Sequence, residues 1–201
     1  MKKILFLFSI IFANLLYSQP GSQTLIEFCP QKTIVPLRTW TEIPEEQCYY
    51  LKDTNNELQD YVGTWTGTWN NKTIYISISK ITEKYSWVFK YYSDFLIAKF
   101  KVLDSNGNIL FDNTNLPNEQ AKIEGLSFRK VDDKYSLIYI DPDLCDTTGS
   151  IRINFTDPTK TQLQWWYSKN TNWIDTDCFY YGMPQNQRPD PLPKNIILTK
   201  Q

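Results

Sequence analysis

No histidine occurs among the 201 residues. That absence removes Ser-His-Asp and Cys-His catalysis, imidazole acid–base work and histidine-ligated metals. An enzyme built on this chain would have to use carboxylates, lysine or tyrosine. An excess of charge of one sign is missing too. Lys and Arg number 21 against 22 Asp and Glu, a formal charge of −1. Such a chain has no electrostatic attraction for nucleic acid or an anionic membrane. Beyond the first residues, no apolar run is long enough to be a transmembrane helix. Cysteine is scarce: there are four, with no Cys-x-x-Cys spacing, which argues against zinc. Neither an internal repeat, a low-complexity segment nor a useful length of helical periodicity is found.

What is present begins with a leader. Lys2 and Lys3 give a positive start, Ile4 to Leu16 are almost wholly apolar, and Ser18 is a small residue at a cleavage position. This pattern predicts a secretory signal over 1–18, cut after Ser18, and export to the periplasm or beyond. The first cysteine is Cys29, too distant for a lipid-anchored N-terminus. Cleavage leaves 183 of the 201 residues, a length that fits one domain. An even number of cysteines in an exported chain predicts disulfides. Three connectivities exist for Cys29, Cys48, Cys145 and Cys178. The sequence-nearest pairs, Cys29–Cys48 and Cys145–Cys178, are the expected ones, each contributing about 3 kcal/mol.

Residues 19–56 read as an irregular N-terminal arm, because Pro20, Pro30, Pro36 and Pro44 forbid long helices. Ile34 to Trp40 and Tyr49 to Lys52 are its candidate edge strands. From 57 to 201 the pattern is a β domain. Asn56 to Tyr61 makes one helical turn. Gly63 to Asn70 alternates Trp65, Gly67 and Trp69 against Thr64, Thr66 and Thr68. Thr73 to Ile81 puts Ile74, Ile76 and Ile78 on one face. Tyr85–Tyr92, Phe95–Leu103, Ile109–Asp112, Ala121–Lys130, Tyr135–Asp141, Ser150–Thr156, Gln162–Ser168 and Asn195–Lys200 follow, with Asn106-Gly107 the clearest hairpin turn. Met183 to Pro193 is loop. Short strands joined by tight turns predict an all-β meander that closes on itself.

The segment Leu58-Gln59-Asp60-Tyr61-Val62-Gly63-Thr64-Trp65 resembles the entry of a lipocalin or calycin-type barrel. In that family a short helical turn runs into Gly-x-Trp, the Gly allowing a tight entry and the Trp plugging one end. The resemblance covers Gly63 and Trp65. Near the end of the chain, where lipocalins carry an Arg over the Trp, this one has Lys194 and Lys200. The chain also resembles a group of small exported bacterial proteins of unknown function with a leader, a Gly-Thr-Trp first strand and a closing apolar strand. The resulting expectation is an antiparallel, eight-to-ten-stranded lipocalin-like barrel, with a β-sandwich as the alternative.

Two constellations stand out. Asp141, Asp143 and Asp146 form D-P-D-L-C-D, and Asp175 and Asp177 precede Cys178. A Cys145–Cys178 bridge would make these groups neighbours. Hard oxygen ligands at that density are candidates for Ca²⁺, although the glycine and closing glutamate of an EF-hand loop are missing. Paired carboxylates are also the equipment of a glycosidase, while Asp beside Pro and Thr ordinarily builds turns. Turn chemistry is the expectation, with no metal and no cofactor. Aromatics reach 15 % and crowd around Trp165, Trp166, Tyr167, Trp173, Phe179, Tyr180 and Tyr181. The predicted function is non-catalytic binding of a small apolar or amphipathic ligand in the barrel, contacted by Trp69, Tyr75, Trp87, Phe100, Tyr139, Trp165 and Tyr167. The alternative is a carbohydrate- or protein-interaction module using outward Trp166 and Trp173.

Overall fold

A computed structural model describes residues 29, 31–39, 43, 48–86, 90–171 and 174–201. The leader expected over 1–18 lies outside them, as do Trp87 and Trp173. Residues 32–201 form one compact unit. Among the described residues it holds eleven strands: β1 (Thr33–Pro36), β2 (Tyr49–Lys52), β3 (Gly63–Trp69), β4 (Lys72–Ser86), β5 (Tyr91–Leu103), β6 (Ile109–Asp112), β7 (Ile123–Phe128), β8 (Tyr135–Asp141), β9 (Thr147–Phe155), β10 (Gln162–Lys169) and β11 (Asn195–Lys200).

Eight of these close a ring. β5 pairs with β4, then β3, β11, β10, β9, β8 and β7 follow, and β7 returns to β5 through Ile97 and Ala98 opposite Glu124 and Ile123. Every pairing in the ring is antiparallel. This is the closed barrel expected, and a sandwich is excluded. The second edge of β5 carries three partners in succession. β2 lies parallel beside Tyr92 and Ser93, β7 closes the ring, and β6 pairs with Lys101 to Leu103. β1 adds to β2, also parallel.

Alternation sorts the side chains as the sequence pattern demands. Trp65, Ile74, Ile76, Leu96, Phe100, Leu137, Tyr139, Ile151, Leu163 and Trp165 pack into one interior cluster, none more than 1 % exposed. Eight strands enclose a space just wide enough for side chains to fill, and these large residues fill it. The strand expected over Tyr85–Tyr92 is not separate: Tyr85 and Ser86 end β4, Tyr91 and Tyr92 begin β5, and they pair across one long hairpin. A register shift between Ile81 and Lys84, with Glu83 at φ 54°, interrupts the alternation that would have shown β4 as one strand.

Candidate functional site

The barrel has two ends, and each is closed differently. At the first, a 3₁₀ turn over Glu57–Tyr61 leads into β3. Gly63 makes the entry at φ +137°, a conformation that L side chains rarely adopt. Asp53, buried, fastens the turn by accepting hydrogen bonds from Glu57 N (2.8 Å), Leu58 N (2.9 Å) and Lys80 Nζ (2.7 Å). Asp94 then accepts from Asp53 N (2.9 Å) and the Tyr50 hydroxyl (2.6 Å). Trp65 Nε1 donates to Tyr61 O at 2.8 Å. Lys200 Nζ sits 5.2 Å from the Trp65 ring centre and donates to Asp60 O at 2.9 Å. A lysine thus stands over the tryptophan at the position where the lipocalin resemblance implies an arginine.

Outside this end lies a cleft of about 360 Å³. Tyr61 and Phe155 stack there at 4.3 Å, and the Arg38 guanidinium lies 3.9 Å from the Phe128 ring centre. Arg38 Nε reaches both Glu57 oxygens at 2.8 and 3.0 Å, and its Nη1 pairs with Asp133. Burial works against the Arg38 charge, and the Glu57 and Asp133 carboxylates overcome it, so its pKa stays above the ordinary value. Lys160 pairs with Asp60, and Arg129 with Asp132.

The opposite end is the mouth. The connection from β10 to β11 crosses it as a strap, pinned by the Cys145–Cys178 disulfide. Its segment Pro191-Leu192-Pro193 is buried, and Leu192 joins the barrel core at 3 % exposure. Trp165 Nε1 donates to Pro193 O at 3.1 Å. Two polar atoms here are buried without a hydrogen-bond partner: the Tyr167 hydroxyl oxygen and Asp190 Oδ1. Burial raises the Asp190 pKa, opposed by the positive charges of Lys169 and Lys194. Tyr167 is raised by burial, then by the Asp190 and Asp141 charges.

The residues expected to contact ligand separate into groups. Phe100, Tyr139 and Tyr167 form an edge-to-face chain, with ring centres 6.1 and 5.9 Å apart. Trp165 is buried with them in the core, and Trp69 packs against that core half-buried. Tyr75 does not join them. It sits opposite Thr66, one step out of phase with the buried Ile74 and Ile76, so it faces away from the interior. Trp166 is half-buried, with Lys134 Nζ 4.0 Å from its ring centre, so a cation already occupies the outward aromatic.

The aspartate cluster is held by the protein's own ammonium group. Lys122 Nζ lies 2.5 Å from Asp141 and 2.6 Å from Asp143, and the Tyr139 hydroxyl donates to Asp141 at 2.7 Å. Burial opposes the Lys122 charge and the two carboxylates more than restore it, so its pKa is raised. Asp146 is exposed past the turn, at φ 54°. Among the described residues no group of three or more acidic or cysteine side chains is placed to hold a metal ion. Cys29 and Cys48 are disulfide-bonded as well, and no cysteine is free. Among the described residues no helix is long and apolar enough to cross a membrane.

Fold and ends together define a class: a disulfide-bonded, closed eight-stranded antiparallel barrel, capped at one end by a 3₁₀ turn and at the other by a strap. The chain belongs to a family of unknown function, DUF6705, whose model matches residues 1–201. No curated protein and no solved structure matches it.

Proposed function

We propose that the protein is an exported, non-catalytic binding module that takes a small amphipathic ligand at the barrel mouth, in the place held by Leu192. The observation that carries this reading is the pair of unpartnered buried atoms, Tyr167 Oη and Asp190 Oδ1; Tyr167 shares the core cluster of Leu192, and Asp190 precedes it by two residues. A buried polar group without a partner costs about 1–3 kcal/mol. A ligand hydroxyl removes the cost twice over, donating to Asp190 and accepting from Tyr167. Its apolar body replaces Leu192 against Phe100, Tyr139 and Trp165. Because the interior is packed with side chains, entry requires the strap to yield rather than a preformed cavity to fill. A long connection with little regular structure is the usual place for such a function. Export rests on the Lys2-Lys3 leader, and two disulfides fit an oxidising compartment. The absence of histidine, and the pairing of Asp141 and Asp143 with Lys122, support a non-catalytic role.

Tryptophan fluorescence tests it, since the Trp165 indole is bonded to the strap. Titration with decanol is expected to give a saturable change. Leu192→Ala, which empties the position without touching the polar pair, is expected to bind more tightly. A Leu192→Ala protein that is folded but responds no better than wild type would sink the proposal.

A further inference from the structure

We propose that the cleft at the other end of the barrel is a second, separate binding site, and that it takes a neutral polyhydroxylated ring such as a mono- or disaccharide. Its volume, about 360 Å³, is within the range of small-ligand pockets. Its floor is aromatic: Phe155 is half-buried and backed by Tyr61, which stacks on it at 4.3 Å. Such a ring offers a flat apolar face to the C–H side of a sugar; Lys160 Nζ is 5.9 Å from the Phe155 ring centre, farther off than Lys134 is from Trp166. Its walls are acceptors and donors at fixed positions. Glu57, Asp60, Asp132 and Asp133 line it, together with Arg38, Lys160 and Asn154.

Charge balance selects the ligand. The four carboxylates outnumber the two cations of the lining, so an anion is disfavoured. Each carboxylate nevertheless already has a cationic partner: Glu57 and Asp133 have Arg38, Asp60 has Lys160, and Asp132 has Arg129. A cationic ligand would therefore compete with ion pairs already in place. Neutral hydroxyls do not, because an ionised carboxylate has about four lone-pair positions and accepts an O–H alongside its ammonium or guanidinium. Asn154 adds an independent sign. Its Oδ1 is buried with no donor, while its Nδ2 is spent on Phe155 O at 2.9 Å. A ligand hydroxyl supplies that donor.

The site lies at the opposite end of the strands from the mouth, and its test is independent of the amphiphile titration. Amide chemical shifts of the isotope-labelled protein are followed during titration with glucose, N-acetylglucosamine, maltose and cellobiose, and with agmatine as the cationic comparison. At least one sugar is expected to give saturable shifts confined to residues 57–61, 128–133 and 154–160, with little salt dependence. Asp133→Asn, on an exposed residue, is expected to weaken that binding about tenfold, the loss of one hydrogen bond to a charged acceptor. Phe155→Leu is expected to weaken it also, with the amide spectrum otherwise unchanged. Agmatine binding without sugar binding would overturn the ligand class. Sugar shifts centred on the strap would overturn the location. Silence from all five probes would overturn the site, and would leave the decanol result at the mouth untouched.

Discussion

Replacing Gly149 with alanine tests how tightly the mouth is built. In a strand interior this exchange ordinarily stabilises, because glycine gives up more backbone entropy on folding and packs nothing. Here the sign reverses. A Cβ on Gly149 would stand 2.3 Å from Tyr167 Cε2 and 2.8 Å from the Ser168 carbonyl oxygen, where real Cβ atoms stay beyond 3.0 Å. The Tyr167 ring would have to retreat by about 0.7 Å to reach that limit, and it is already packed edge-on against the Tyr139 ring. The Ser168 carbonyl belongs to β10, which is paired with β9 across this position, so the backbone has little room to give. Overpacking of this kind costs about 1–3 kcal/mol. In a domain of this size each kcal/mol lowers Tm by roughly 2–4 °C. Gly182→Ala is the control, because nothing lies within 4 Å of its Cβ position and its φ is not in the left-handed region. There the exchange is expected to be neutral or to stabilise by about 0.4–1 kcal/mol. Urea unfolding of the two variants beside wild type makes the comparison. Equal stability of the two alanine proteins would refute the claim that the Tyr167 ring is pressed against β9.

Two further predictions concern the strap. Asp190 has a folded-state pKa raised above 3.8 by burial, with Lys169, Lys194 and Lys72 pulling the other way. The folded state therefore holds this proton more tightly than the unfolded one. Its stabilising contribution is full below about pH 3.8 and is lost as pH rises through the folded value. Asp190→Asn removes that slope: the wild-type advantage over the variant, read from urea midpoints, should shrink with rising pH and then level off, and a constant difference would count against the buried carboxyl. The Cys145–Cys178 bridge spans 33 residues of sequence, for which loop entropy gives about 3–4 kcal/mol. The double variant Cys145→Ser with Cys178→Ser should lose that much and become more readily cleaved by chymotrypsin at Phe179, Tyr180 and Tyr181. An unchanged digestion pattern would show that Leu192 and the hydrogen bonds to Pro193 O and Pro189 O hold the strap without the bridge.

Period-two alternation made the barrel legible because it is a local signal. Trp65 with Ile74, Ile76 and Ile78, and Leu137 with Tyr139, share faces that must be buried, and a sheet buries them by closing on itself or by stacking on another. The motif at Gly63 and Trp65 was legible for the same reason, since its parts are contiguous with the turn that precedes them. Partners distant in sequence were not. The return of β7 to β5, the parallel addition of β2, and the use of one edge of β5 by three strands leave no mark on any single segment. The cleft is the extreme case, built by Arg38, Glu57, Asp133, Phe155 and Lys160 from four separate stretches of chain.

Alternation also assigns a residue to a face without saying what already occupies that face. Tyr75 was separable from Ile74 and Ile76 on phase alone, yet its aromatic character grouped it with the ligand candidates. Trp166 was correctly outward, but the sequence did not reveal that Lys134 covers its ring. Lys122 likewise lies about twenty residues from the aspartates that it neutralises. For Trp166 and for the aspartates the missing fact is a lysine that stands just before a strand, Lys134 before β8 and Lys122 before β7. Lys200 shows why such a cation is chemically sufficient at the closed end. Covering Trp65 needs a positive charge near the ring and a donor for a carbonyl left over by the 3₁₀ turn. An ammonium group 5.2 Å from the ring centre and 2.9 Å from Asp60 O meets both requirements. The planar fork of an arginine would add donors that nothing at that position is shown to use.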